Sequence, residues 1–197
     1  MIGCAFLLFT LFLVLFNSLS RFKILANLRL KYALVFICSA LTFVPFYQGF
    51  SLSVLLYSFF DAPSALCVLL MGFLCFTIFY KDFSKKALNI HIKTLSFVLL
   101  FVFCAFIFLG NLALIRIDIY NENAFMQGIF IFVFLILLYM VDKFFVLLAL
   151  VSLFSCFLGQ NLIKALFDSY LFLFSLVFLS FKLLMFIKGK LCKKVLR

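Results

Sequence analysis

Tryptophan is absent from this chain, and proline, histidine and acidic residues are scarce: two prolines, one histidine and six Asp and Glu against 17 Lys and Arg. These shortages exclude most common catalytic arrangements. With His91 the lone histidine there is no H-E-x-x-H zinc motif, and no G-x-S-x-G elbow, Walker loop or paired-carboxylate motif occurs. His91 lies in the basic stretch KKALNIHIK, with no carboxylate nearer than Asp82, and reads as a loop residue rather than a proton shuttle. The seven cysteines, Cys4, Cys38, Cys67, Cys75, Cys104, Cys156 and Cys192, form no C-x-x-C pair. All but Cys192 fall in apolar stretches, where a thiol packs as a small hydrophobe. Neither a metal nor another cofactor is expected.

Charge is the other shortage. Only 12% of residues are charged, while 69% are hydrophobic and the mean hydropathy is +1.38. A soluble fold of 197 residues has nowhere to hide that much apolar surface. The charges fall in short clusters between long uncharged runs, the pattern of helices crossing a hydrocarbon layer of about 30 Å. The fold class expected is therefore all-α, a polytopic integral membrane helical bundle.

The runs define a single transmembrane domain with about seven segments, at about 2–20, 32–48, 63–80, 95–115, 125–141, 144–162 and 166–187. The count falls to six if the fifth and sixth do not form a hairpin, which would turn tightly at Asp142 and Lys143. The stretch 49–62, GFSLSVLLYSFFDA, is too short to cross and carries Ser51, Ser53, Ser58 and Asp61, so it reads as an interfacial or re-entrant helix. The alternative is one long helix from Leu52 to Tyr80 kinked at Pro63. Residues 2–20 do not read as a cleaved signal peptide, because Arg21, Lys23, Arg29 and Lys31 follow the apolar run instead of preceding it.

A net charge of +11 raises the question of nucleic acid, but the cations sit at the ends of apolar runs, where the positive-inside rule puts them. Placing 21–31, 81–94, 142–143 and the C-terminal tail inside leaves only Arg116 and Lys164 of the 17 Lys and Arg outside. The N-terminus is then outside and the C-terminus cytoplasmic. Tyr32, Tyr47, Tyr57, Tyr80, Tyr120, Tyr139 and Tyr170 all fall near segment ends, as an interfacial aromatic belt requires. Abundant Phe, no Trp, a preference for Lys over Arg and the absence of an Asn-x-Ser/Thr sequon point to a bacterial inner membrane. The partners expected are the bilayer and its anionic headgroups at the cytoplasmic face, and no nucleic acid.

On this map Gln48, Asp61, Arg116, Asp118, Asn121, Glu122, Gln127, Gln160, Asn161, Lys164 and Asp168 lie at the outer face. Asp61, Arg116, Asp118, Glu122 and Asp168 are the candidate polar site, able to ring a vestibule or to serve as acid, base and anion clamp. Solvated loop residues would look the same. Asp61 before Pro63 suits a helix cap, and Arg116 could pair across the bundle with Asp61 or Asp168. Ala149, Ser152, Ser155, Cys156 and Gly159 recur every three or four residues and form a small-residue stripe, so Ser155 and Gly159 offer a face to another helix or to a membrane protein partner. The expected function is a non-enzymatic membrane subunit or small transporter. The alternatives are a membrane-embedded enzyme acting on a lipid or lipid-linked substrate at the outer face, and an anchor for a separate catalytic subunit.

Overall fold

The computed structural model describes residues 2–20, 28–45, 51–60, 62–84, 92–158 and 161–195. The described residues are all helix, turn and loop, with no strand among them. The chain divides into two compact units, Met1–His91 and Ile92–Arg197.

The first unit holds α1 (Ile2–Ser20), α2 (Leu28–Leu41), α3 (Leu52–Phe60) and α4 (Ala65–Ser84). Helices α2, α3 and α4 all pack on α1. Gly3, at the start of α1, lies against Pro63 ahead of α4, so α1 and α4 run in the same direction; a Cβ on Gly3 would sit 2.6 Å from the Pro63 ring. Leu13 of α1, Val35 of α2 and Cys75 of α4 form the buried seam, sealed by Phe9, Phe12, Phe16, Ile78 and Phe79. Helix α4 begins at a Ser64 cap, whose hydroxyl accepts the Cys67 N–H at 3.1 Å. Ser64 stands one residue past Pro63, in register with the first turn's free N–H groups. Asp61 itself lies outside the described residues.

The second unit holds α5 (Thr94–Asn111), α6 (Ala124–Val141), α7 (Lys143–Leu153) with a 3-10 extension Phe154–Leu158, α8 (Leu162–Leu166) and α9 (Ser169–Val195). Helices α5 and α9 pack side by side and antiparallel: Phe172 near the start of α9 stacks on Phe101 and Phe108, while Phe178 meets Phe97. Helices α6 and α7 form a hairpin with Asp142 as its one connecting residue. Helix α8 packs on both, with Ile163, Ala165 and Leu166 fully buried. Aromatic rings fill the space between α5, α6 and the α8–α9 junction, where Phe167 meets Phe103, Phe130 and Phe134.

Length decides which helices can cross a bilayer. Among the described residues four stretches are long and apolar enough, Ala65–Ser84, Thr94–Asn111, Ala124–Val141 and Leu162–Ser180; α1 holds a further apolar stretch, Gly3–Asn17, and Lys143–Phe157 is apolar but shorter. Only 22% of the α6 window is buried within the fold, and Phe125, Phe132 and Met140 stand exposed on it. An apolar helix left so uncovered is solvated by lipid rather than water. Of the segments drawn from sequence, α2 has 14 residues and α7 has 11, so α2 extends about 21 Å and α7 about 16 Å. The 3-10 extension adds about 10 Å to α7, which leaves it a few ångströms short of the hydrocarbon thickness. Helix α3, nine residues, is about 14 Å long.

Candidate functional site

The α5–α6 loop carries three of the candidate residues. Helix α5 ends in a Schellman turn, with the Leu114 N–H on the Leu109 carbonyl at 3.0 Å and the Ala113 N–H on the Gly110 carbonyl at 2.9 Å; Ala113 takes the left-handed position at φ 55°. The loop then folds back so closely that a Cβ on Gly110 would meet the Ile117 carbonyl oxygen at 2.7 Å. Asp118 is turned into this loop: its carboxylate accepts the Tyr120 N–H at 3.2 Å and the Asn121 amide at 2.6 Å. Asn123 caps α6 by accepting the Met126 N–H at 2.9 Å. Buried Gln127 donates to the carbonyls of Tyr120 and Glu122, both at 3.0 Å, tying the loop to the first turn of α6. The side chains of Arg116 and Glu122 are exposed.

Asp168 lies at the break between α8 and α9. Its carboxylate accepts the Leu171 N–H at 2.6 Å and its carbonyl the Phe172 N–H at 3.1 Å, so it opens α9 as a cap. The Cys104 thiol of α5 lies beside it. Lys164 of α8 reaches the Tyr120 ring, 5.6 Å from its centroid, and so joins α8 to the α5–α6 loop. Asn161 caps α8 through the Ile163 N–H at 3.3 Å. Asp118 and Asp168 are thus engaged with donors of their own segments, and their placement is that of turn and cap residues. Among the described residues no group of three His, Cys, Asp or Glu is placed to hold a metal ion. Asp61, Gln48, His91, Gly159 and Gln160 lie outside the described residues.

A different polar cluster, in the first unit, was not singled out by the sequence. The Lys31 ammonium of α2 is 1% exposed, forms an ion pair with Asp82 of α4, and donates to the Asn17 side-chain oxygen of α1 at 3.0 Å. The Tyr32 hydroxyl donates to the same Asp82 oxygen at 2.7 Å. Its ring stacks on Phe79 with centroids 5.0 Å apart, lies 6.0 Å from Phe83, and faces the Lys31 ammonium at 5.3 Å. Asn17 is in the last turn of α1, Lys31 in the first turn of α2 and Asp82 in the last turn of α4, so the cluster closes one end of the three-helix seam. A lysine at the end of a membrane helix ordinarily extends its ammonium to water. Lys31 turns inward instead, and burial at that cost is tolerated because the carboxylate, the amide and the aromatic face meet it.

Two features of the sequence agree with this cluster without having revealed it. Asp82 is an acid set among Lys81, Lys85 and Lys86, and Tyr32 follows Lys31 at a segment start. The 51-residue separation of Lys31 from Asp82 hid the pairing.

The fold is all-helical, and among the described residues four helices are apolar and long enough to cross a membrane. No protein family, curated protein or solved structure matches the chain.

Proposed function

We propose that this chain is a non-enzymatic integral membrane protein, a small transporter or the membrane subunit of a larger assembly. The observation that carries the reading is the Lys31–Asp82 pair with Tyr32 and Asn17, its ammonium buried at one end of the α1–α2–α4 seam. Ionisable groups kept inside a membrane bundle are costly and recur where ions, protons or charged substrates pass. Of the carboxylates on which an outer-face enzyme would rely, Asp118 is held within its loop and Asp168 at the start of α9, while Glu122 is exposed and Asp61 lies outside the described residues.

The bilayer setting is a bacterial inner membrane, with seven crossings, the N-terminus outside and the C-terminus cytoplasmic. Supporting the frame, the Asp142 turn and the start of α5 meet at one end of the second unit, where Lys93 and Lys143 both lie. Anionic headgroups at the cytoplasmic face are the lipid partners of the basic loops. The surface for a protein partner lies around Ser155, half-buried beyond Ala149 and Ser152, which the fold already covers; Gly159 lies outside the described residues.

Reconstitution of the full-length protein into liposomes loaded with a pH-sensitive dye tests the function. A transporter dissipates an imposed gradient faster than empty liposomes and loses this with Asp82→Asn. A subunit is leak-tight alone but co-purifies from native membranes with another protein in fixed stoichiometry. Turnover of a lipid-linked substrate by the isolated chain would overturn both. For topology, alkaline phosphatase fused after Arg197 is expected to be inactive and a fusion near Asn123 active; the reverse overturns the orientation.

A further inference from the structure

At the end of the second unit where α5 and α7 begin, three helices gather on one ring. Phe97 of α5 lies 5.9 Å from Phe145 of α7 and 4.2 Å from Phe178 of α9, centroid to centroid. Each of these rings has a lysine a few residues nearer that end: Lys93 before Phe97, Lys143 before Phe145 and Lys182 after Phe178. All three lysines are exposed. Two of the ammoniums lie against aromatic faces, Lys143 at 5.6 Å from the Tyr139 centroid and Lys182 at 5.7 Å from that of Phe178. The counter-charge is turned inward. Asp142 is the one carboxylate at this end among the described residues, since Asp118 and Glu122 lie in the α5–α6 loop and Asp168 at the α8–α9 break. It is buried and accepts the N–H groups of Lys93, Phe144 and Phe145.

We infer that Lys93, Lys143 and Lys182 form a discrete binding site for one anionic phospholipid, with a headgroup bearing two phosphates held best. Three exposed ammoniums stand against a single buried carboxylate, and that excess suits a ligand with two negative charges. Beside them the helix surfaces are apolar: Leu95 of α5, Met140 of α6, Leu147 of α7 and Leu183 of α9 are exposed. A ligand here meets cations and hydrocarbon side by side, which is the chemistry of a phospholipid rather than of a free anion, and basic surfaces between membrane helices hold such headgroups. Lys93 and Asp142 already join the starts of α5 and α7. Helix α9 meets that end through the rings of Phe174 and Phe178, so bound phosphates add a polar tie between α9 and the other two. The inference rests on the reading that the basic helix ends face anionic headgroups, and it deepens that reading to a site with one occupant.

The test is made on the full-length protein in detergent, titrated with cardiolipin, phosphatidylglycerol or phosphatidylcholine. Cardiolipin should raise the melting midpoint more than phosphatidylglycerol does, phosphatidylcholine should leave it unchanged, and native mass spectrometry should retain one cardiolipin per chain. Lys93→Gln, Lys143→Gln and Lys182→Gln should each lower cardiolipin affinity about fivefold, and the three together on the order of a hundredfold. The same change at Lys190, Lys193 and Lys194 in the tail should lower it less. If the triple variant does not fold, Lys143→Gln decides alone. Wild-type affinity in these variants, an equal loss from the tail change, or inorganic diphosphate raising the midpoint as far as cardiolipin overturns the site. Micelles have no sides, so a reversed result from the alkaline phosphatase fusions overturns the orientation and leaves the site standing, whereas undiminished lipid affinity in the variants does the opposite.

Discussion

Asp142 and Lys93, 49 residues apart, are joined by a hydrogen bond of 2.9 Å from the Lys93 backbone N–H to the Asp142 carboxylate. The other oxygen of the same carboxylate accepts the N–H groups of Phe144 at 3.1 Å and Phe145 at 3.3 Å. One side chain therefore caps α7 and ties down the residue that precedes α5. A helix cap contributes about 1 kcal/mol, so Asp142→Ala should destabilise the protein by about 2 kcal/mol in a detergent melt, with Asp142→Asn near half of that because the amide keeps a single acceptor. Equal melting of both variants with wild type would show that the shared cap is unimportant.

Ala113 occupies a position that glycine favours. Its left-handed backbone at φ 55° costs about 1 kcal/mol for a residue with a Cβ. Ala113→Gly is expected to raise the thermal midpoint, by up to about 1 kcal/mol of stability after the glycine's extra unfolded-state entropy is counted. A lowered midpoint would mean that the turn is not formed as described.

Three glycines should respond differently to the same added methyl. At Gly110 it meets the Ile117 backbone oxygen at 2.7 Å, at Gly3 it meets the side-chain ring of Pro63 at 2.6 Å, and at Gly128 nothing lies within 4 Å. Gly110→Ala should cost about 1 to 3 kcal/mol, Gly3→Ala less because the ring can shift, and Gly128→Ala should be neutral or stabilising by up to about 1 kcal/mol through helix propensity. Thermostability of the three variants side by side checks the order.

The small-residue stripe sharpens in the same way. Ala149 and Ser152 are 0% and 1% exposed, whereas Ser155 is half-buried and lies in the 3-10 segment that begins at Phe154. Ser152→Leu should therefore cost about 1 to 3 kcal/mol and more than Ser155→Leu, with Leu150→Phe, on the exposed side, as control. If Ser152→Leu melts with wild type, the stripe does not face a neighbouring helix.

Much of the helical layout was legible because hydrophobic runs, turn residues and charges agree. The Asp142 hairpin, the RIDIYNENA loop and the short helix at 52–60 all coincide with local signals. What was not legible depended on distance or on length. The sequence showed an apolar run at 144–162, but not that the α-helix tightens to 3-10 after Leu153 and breaks again at Phe167 and Asp168. It put Arg116, Asp118 and Glu122 in one loop between two apolar runs, yet could not show that Asp118 would be satisfied by its own turn. Lys31 and Asp82 looked like ordinary inner-face charges, because the positive-inside rule explained them before any long-range contact was known.

The account turns on that pair, and exchanging its charges tests it most directly. Breaking a buried ion pair by removing one partner costs about 3 to 5 kcal/mol, so Lys31→Asp and Asp82→Lys should each reduce folded yield and lower the melting midpoint in detergent by that order. The double exchange Lys31→Asp with Asp82→Lys should recover most of the loss, because the attraction is restored with its sense reversed. Single variants as stable as wild type, or a double exchange no better than either single, would show that Lys31 and Asp82 do not hold the first unit together as described.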